Sequence, residues 1–145
     1  MHPLEVAQIL AEAGEGDPDV LVAAVLHDLI EDTAVSAADL AVQFGHRVAD
    51  LVREVSDDRS LPKSERKRLQ VEHASRLSPG AKRIRLADKI SNVRSMRHDP
   101  PTGWNTERLK EYVRGCMDVV NALRGLAPEL EARFDAAAQD ALSAW

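Results

Sequence analysis

The stretch Leu26-His27-Asp28-Leu29-Ile30-Glu31-Asp32 places one imidazole and three carboxylates at the end of an apolar run. Between Val20 and Ile30 the only polar side chains are those of the His-Asp pair, so this segment predicts a helix that is buried on nearly all sides. Its start is marked by Asp17, which can cap the first turn, and by Pro18, which suits the first helical position.

The spacing of the four polar groups favours a bound cation. On a continuous helix Glu31 would lie one turn beyond His27, and Asp32 one turn beyond Asp28, so the carboxylates would repel one another. Buried carboxylates without a partner are costly. A neutral imidazole with carboxylates suits a borderline divalent ion such as Mn, Fe, Co, Ni or Zn. An isolated His-Asp pair is more often an ordinary core or surface pair, but two further carboxylates and the preceding apolar turn favour the metal.

Length and composition predict one domain, residues 1–145, built of helices. The chain is 44% hydrophobic and 30% charged with few aromatic residues. It contains no apolar run long enough to span a bilayer and no signal-peptide pattern, so a cytoplasmic protein without membrane contact is expected. The single Cys116 excludes an internal disulfide and a thiolate cluster, so a metal must take histidine and carboxylate ligands.

Positive charge is concentrated in the middle of an acidic chain. The net charge is −5, yet the segment from Asp57 to Arg97 carries twelve Lys or Arg against five Asp or Glu. This pattern fits a compact polyanion such as a nucleotide phosphate better than long nucleic acid. A pair of solvated helices with ordinary surface charges explains the charge pattern equally well.

Helical spacing and capping residues recur along the whole chain, without a strand pattern or an internal repeat. We therefore expect an all-α single domain, a helical bundle of about seven or eight helices. The first helix opens at His2-Pro3, where an N-terminal histidine is by spacing alone a weak ligand candidate. Later helices are predicted to follow the caps Ser36, Ser78 and Asn105, and to begin at Lys63 and Pro128.

Asp88 interrupts an apolar helix face, and its carboxylate is therefore expected to point inward. The face is formed by Ala81, Ile84, Ala87, Ile90 and Val93. A buried Asp needs a partner, and the cation inferred at His27 and Asp28 would supply one. The alternative is a salt bridge from Asp88 to Arg85 or Lys89.

At this point the sequence resembles a known family, the HD-domain alarmone hydrolases of the RelA/SpoT group, in particular the small single-domain kind found in metazoans. The resemblance covers residues 2 to 124, in order and with compatible spacing. It is carried by His2-Pro3, by Leu26 to Thr33, by Phe44-Gly45, by Leu61 to Gln70, by Ser78 to Lys82, by Leu86 to Asn92, by Gly103-Trp104 and by Arg108 to Tyr112.

The resemblance implies roles for individual residues. A metal site usually filled by manganese (Mn2+) would be formed by His2, His27, Asp28 and Asp88. The attacking water would be positioned and deprotonated by Glu31 and Asp32. Asn92 would lie beside the ligand Asp88 and contribute to substrate binding. The phosphates or sugar of the nucleotide would be contacted by Lys63, Arg108 and Tyr112.

The implied reaction is metal-dependent hydrolysis of the 3′-diphosphate of guanosine tetra- or pentaphosphate, (p)ppGpp, to GDP or GTP and pyrophosphate. Cys116 and the serines lack the surroundings of an activated nucleophile, so direct attack by water is expected. Two alternatives stay open. The same fold could act on another nucleotide, (p)ppApp or the 2′-phosphate of NADPH, or the chain could be a non-catalytic regulator that binds a nucleotide or protein.

One departure from the family pattern concerns the start of the chain. Family members carry one or two helices before the His-Pro motif, and their basic residues reach toward the substrate. Here His2-Pro3 follows Met1 directly, so we expect either a shortened form that lacks the N-terminal helix and anchors His2 poorly, or a sequence whose start is misassigned or trimmed. The missing helix would leave an apolar groove that a second copy could cover, which is a hypothesis for a homodimer.

Overall fold

The computed structural model describes residues 2–28, 30 and 33–145, and in this part of the chain it is all-α. The predicted helical bundle is confirmed, and the part of the chain that the structure describes contains eight assigned α-helices and a short 3-10 turn at Ala74–Arg76. The helices are α1 (His2–Glu12), α2 (Pro18–Leu26), α3 (Ala37–Phe44), α4 (His46–Glu54), α5 (Lys63–His73), α6 (Pro79–His98), α7 (Thr106–Leu123) and α8 (Pro128–Ala144). None of the helices described combines the length and apolar character needed to cross a bilayer.

Side-chain caps begin four of these helices where the sequence predicts them. In each case an oxygen of the capping side chain accepts a backbone N–H of the first turn, which leaves fewer unpaired donors at the helix start. The caps are Asp17 for α2, Ser36 for α3, Ser78 for α6 and Asn105 for α7. At Ser36 the bond is reciprocal, because Asp39 accepts the backbone N–H of Ser36 at 3.0 Å.

Helix α2 ends earlier than the sequence predicts. The apolar run predicts a helix to Ile30, but the regular helix ends at Leu26 and His27 is its C-cap. The ring nitrogen Nδ1 of His27 lies 2.6 Å from the carbonyl oxygen of Ala24. In a continuing α-helix that carbonyl would accept the N–H of Asp28, so the imidazole competes with the helix for the same acceptor.

Helix α6 lies at the centre of the fold and packs against α1, α2, α4, α7 and α8. Eleven of its twenty residues are buried, including the apolar stripe predicted from the sequence and also Asp88. The largest fully buried side chains come from α1, α2, α4, α6, α7 and α8, among them Ile9, Ile84, Leu123 and Phe134. The core therefore surrounds α6 and holds it in a fixed position.

Gly80 allows the start of α6 to approach α2 and α4 closely. A Cβ atom at this buried position would lie 2.9 Å from Cγ2 of Val20 and 3.2 Å from Cδ2 of Leu51. We expect Gly80→Ala to lower the free energy of unfolding by about 1 kcal/mol, because overpacking outweighs the gain in helix propensity. Urea unfolding followed by circular dichroism measures this difference.

Gly115, in the middle of α7, is the matched control. A Cβ atom there would meet only Lys67 side-chain atoms, at 3.5–3.6 Å, which is ordinary contact. Gly115→Ala should therefore stabilise the protein by about 0.5–1 kcal/mol through helix propensity alone. Equal effects of the two substitutions would contradict the close packing inferred at Gly80.

Candidate active site

His2 lies at the start of α1 with its imidazole held between two residues of α6. Its Nε2 is 2.7 Å from Oδ1 of Asp88, and its Nδ1 is 2.8 Å from Oγ of Ser91. Ser91 is completely buried, so its hydroxyl fixes the orientation of the ring. Nε2–H donates to the carboxylate of Asp88; with a cation bound in place of that proton, Nδ1–H would donate to the Ser91 hydroxyl and the lone pair of Nε2 would face the ion.

His27 brings a second imidazole to the same carboxylate from the end of α2. Its Nδ1–H donates to the carbonyl of Ala24, and its Nε2 lies 3.4 Å from Oδ1 of Asp88. Burial lowers the pKa of His27, but the hydrogen bond and charge of Asp88, the Ala24 carbonyl and the charge of Asp28 together raise it to about 9. The site therefore favours positive charge at this position.

Asp88 is the carboxylate that both imidazoles share. Burial raises its pKa, but hydrogen bonds from His2 and His27 and the charge of Lys89 outweigh this effect and hold the pKa well below its usual range. Oδ2 accepts a hydrogen bond from Nδ2 of Asn92 at 3.4 Å. The inward direction expected for Asp88 is therefore seen.

The alternative partners for Asp88, Arg85 and Lys89 of the same helix, contribute little to its contacts. Nζ of Lys89 is 3.8 Å from Oδ2, beyond hydrogen-bond distance. Arg85 lies instead 3.5 Å from Oδ1 of Asp57. The two imidazoles are the closer partners of the carboxylate.

The side chains of His2, His27 and Asp88 form a donor set that fits a divalent cation. Each offers one ligand atom, and these atoms all lie within 4.8 Å of one another. Both imidazoles present Nε2 while Nδ1 is held by another acceptor, which is the arrangement that orients histidine ligands in metal sites. Two imidazole nitrogens with a carboxylate suit a borderline ion.

Asp28 lies at the edge of this group. Its Oδ1 is 3.2 Å from Nε2 of His27, but it is not among the three residues whose ligand atoms cluster. The predicted role of Asp28 as the fourth ligand stays a prediction. Glu31 and Asp32, the predicted water-activating pair, lie outside the residues that the structure describes.

A cavity of about 550 Å³ lies between α5, α6 and α7, where it is lined by Lys89, the residue after Asp88. Three of the four residues predicted to bind substrate line it, namely Lys63, Arg108 and Tyr112. The guanidinium of Arg108 lies 3.9 Å from the centre of the Trp104 ring, which holds it at the wall by a cation–π contact. Asn92 does not line the cavity and instead bonds Asp88, as expected from the resemblance.

Tyr112 and Cys116 line the inner wall of the cavity as neutral groups. Burial is the main cause that raises the pKa of the Tyr112 phenol and of the Cys116 thiol. The phenol therefore remains a hydrogen-bond donor, and the thiol is a poor nucleophile. This agrees with the expectation that water, rather than Cys116, attacks the substrate.

Reasoning from the sequence missed several residues that the fold brings to the site. Arg66 and Lys67 line the cavity and belong to the basic run at the start of α5, where charge alone did not distinguish them from surface residues. Lys89 also lines the cavity, whereas the sequence indicates it only as a possible salt-bridge partner for Asp88. Ser91 carried no signal, because its contact with His2 joins residues 89 positions apart.

Comparison with known proteins gives a consistent result. The family model for the HD domain matches residues 1–133. The guanosine-3′,5′-bis(diphosphate) 3′-pyrophosphohydrolase MESH1 of Xenopus tropicalis is 47% identical over 135 residues, which cover 92% of this chain and 75% of the relative. The human MESH1 is 49% identical over 131 residues, covering 90% and 73% respectively.

Solved structures agree with the sequence comparison. A structure described as a metazoan ortholog of SpoT that hydrolyzes ppGpp superposes with a TM-score of 0.91 at 47% identity, covering 97% of this chain and 80% of that one. A protein of Listeria monocytogenes superposes with a TM-score of 0.80 at 29% identity, covering 98% and 94%. The chain therefore belongs to the HD domain family, in the branch that contains the MESH1 proteins and the metazoan SpoT ortholog.

Proposed function

We propose that this chain is a metal-dependent hydrolase that removes the 3′-diphosphate of guanosine tetra- or pentaphosphate and produces pyrophosphate with GDP or GTP. The observation that supports this function most directly is the Asp88 carboxylate, which lies between two oriented imidazoles at the edge of a basic cavity. The MESH1 relatives, named for this activity, are 47% to 49% identical over most of the chain.

Four residues would hold the ion: His2, His27 and Asp88, with Asp28 as a fourth ligand. When bound, a divalent ion lowers the pKa of a water molecule and offsets negative charge on a phosphoryl oxygen. The Ser91 hydroxyl orients the imidazole of His2, and the Ala24 carbonyl orients that of His27. Asn92 donates a hydrogen bond to Oδ2, the second oxygen of Asp88. We propose manganese as the resident metal, a choice that the donor atoms alone do not distinguish from other borderline ions.

The chain's own groups divide the remaining work. Glu31 and Asp32 would accept the proton from the attacking water. Lys63, Arg108 and Tyr112 would bind the phosphates or sugar from the cavity wall. The water oxygen forms a bond to the phosphorus carried by the 3′ oxygen, the bond between that phosphorus and the 3′ oxygen breaks, and the 3′ oxygen takes up a proton.

Removing the shared carboxylate should abolish both metal binding and turnover. We expect Asp88→Ala to lose bound Mn and at least about 100-fold in turnover, because even partners of a metal ligand contribute 10- to 100-fold. Pyrophosphate release from ppGpp, with Mn added and with Mn removed by chelation, measures turnover, and elemental analysis measures the metal. Asp50→Asn, which changes an exposed carboxylate on α4, is the matched control.

The same assay separates the alternatives. ppApp and NADPH are tested beside ppGpp, because phosphate and metal contacts do not select the base. For NADPH the release of inorganic phosphate is measured, since its 2′ group leaves as phosphate rather than pyrophosphate. Wild-type protein that holds metal but releases no pyrophosphate from ppGpp would point to one of the other nucleotides. Protein without metal and without turnover would favour a binding module.

Replacing the predicted water-activating pair, Glu31 and Asp32, should lower turnover without the loss of metal expected for Asp88→Ala. Glu31→Gln combined with Asp32→Asn should keep the fold and the bound metal but lower turnover by about 100-fold or more, the usual contribution of general base catalysis. Circular dichroism, metal content and pyrophosphate release are measured on one preparation. Full activity of the double variant would show that another group accepts the proton.

We also propose a homodimer and a cytoplasmic location. Val42 on α3 is 88% exposed, and a second copy would cover this apolar side chain. Gel filtration with light scattering should give twice the chain mass of 15.9 kDa, and Val42→Glu should shift the protein toward monomer. A wild-type mass of one chain would contradict the dimer.

A further inference from the structure

Lys89 is a buried cation at the boundary between the candidate metal ligands and the cavity. It follows Asp88 on α6 and is only 9% exposed. Lysine is almost never buried to this extent without a partner. Among the described residues, its ammonium group forms one ion pair, with Oδ2 of Asp88 at 3.8 Å.

That carboxylate is already engaged by other groups. Oδ1 of Asp88 faces both imidazoles, and Oδ2 accepts the hydrogen bond from Asn92. A divalent ion held by Oδ1 would draw on the same negative charge. The positive charge of Lys89 is therefore incompletely balanced on the protein side.

The other side of Lys89 faces the cavity. Five cationic side chains line this space against the carboxylates of Asp57 and Glu111; they are Lys63, Arg66, Lys67, Lys89 and Arg108. Lys67 is paired with Asp118 at 2.8 Å, and Arg108 is stacked on Trp104. Lys89 is the cation of this wall that lies beside the candidate metal ligand.

We propose that Lys89 binds the 3′-diphosphate directly, its ammonium group donating hydrogen bonds to non-bridging oxygens next to the phosphorus that is attacked. This inference rests on the proposed function. A diphosphate held at the metal site presents several negative oxygens, and those directed toward the cavity meet Lys89 first. The ammonium group would also bind the pyrophosphate that is formed, whereas the 5′-diphosphate and guanine would be bound farther along the cavity.

The test separates the two ends of the substrate by inhibition. Pyrophosphate formation from ppGpp is followed by chromatography, with inorganic phosphate as a probe of the 3′ end and added GDP as a probe of the rest. We expect Lys89→Gln to raise the KM for ppGpp and the inhibition constant of phosphate by about tenfold or more, because it removes a charged hydrogen bond. The inhibition constant of GDP should change less than twofold.

Matched variants exclude a merely structural effect. Lys82→Gln removes the same charge from the same helix outside the cavity lining and should leave all three constants unchanged. Lys89→Arg keeps the charge and should restore part of the phosphate inhibition, and Lys89→Met replaces Lys89→Gln if the buried amide prevents folding. Bound Mn is measured in every variant and should equal that of the wild type.

Three results would overturn the proposal. If Lys89→Gln leaves the inhibition constant of phosphate unchanged, Lys89 does not contact the 3′-diphosphate. If it raises the inhibition constants of phosphate and GDP equally, Lys89 does not act at the 3′ end in particular. If the variant loses Mn, Lys89 is a positioning residue for Asp88. If the wild-type protein does not hydrolyse ppGpp at all, the proposed function fails by itself. Calorimetric titration of phosphate into Mn-loaded wild type and Lys89→Gln would then still test whether Lys89 binds phosphate.

Discussion

The structure of the site depends on one buried carboxylate. Asp88 lies inside the bundle, where an ionised group without compensation would be unstable. Compensation comes from His2 on α1 and His27 at the end of α2, which both direct Nε2 toward Oδ1. Since two other helices must dock on α6 to supply these imidazoles, the same contact that stabilises the charge also assembles the donor set.

Helix α6 can serve two sites because neighbouring residues on a helix point in directions about 100° apart. Asp88 faces α1 and the end of α2, and Lys89 faces the cavity beside α7. Asp88 and Lys89 are therefore neighbours in the sequence but lie on different sides of the helix. Under the proposed function, one rigid helix would hold both a ligand of the cation and a group that binds the substrate.

Local features of the fold could be predicted from the sequence, whereas long-range contacts could not. The caps at Asp17, Ser36, Ser78 and Asn105 follow from bonds to residues two or three positions away, and the inward direction of Asp88 follows from helical spacing. The end of α2 at Leu26 was missed, because apolar periodicity does not reveal that a histidine ring competes for a carbonyl. The contact of His2 with Asp88 spans 86 positions, and only the family resemblance indicated it.

The basic segment between Asp57 and Arg97 explains why charge alone left two interpretations equal. Part of its positive charge belongs to ordinary pairs: Arg68 pairs with Glu65 and Glu72, and Arg83 pairs with Glu15. Another part lines the cavity, as Lys63, Arg66 and Lys89 do. The paired residues fit ordinary surface charge, and those that line the cavity support the proposed binding of a nucleotide phosphate. On a chain of net charge −5, a cavity wall with five cations and two carboxylates would favour a compact polyanion, as the charge pattern predicts.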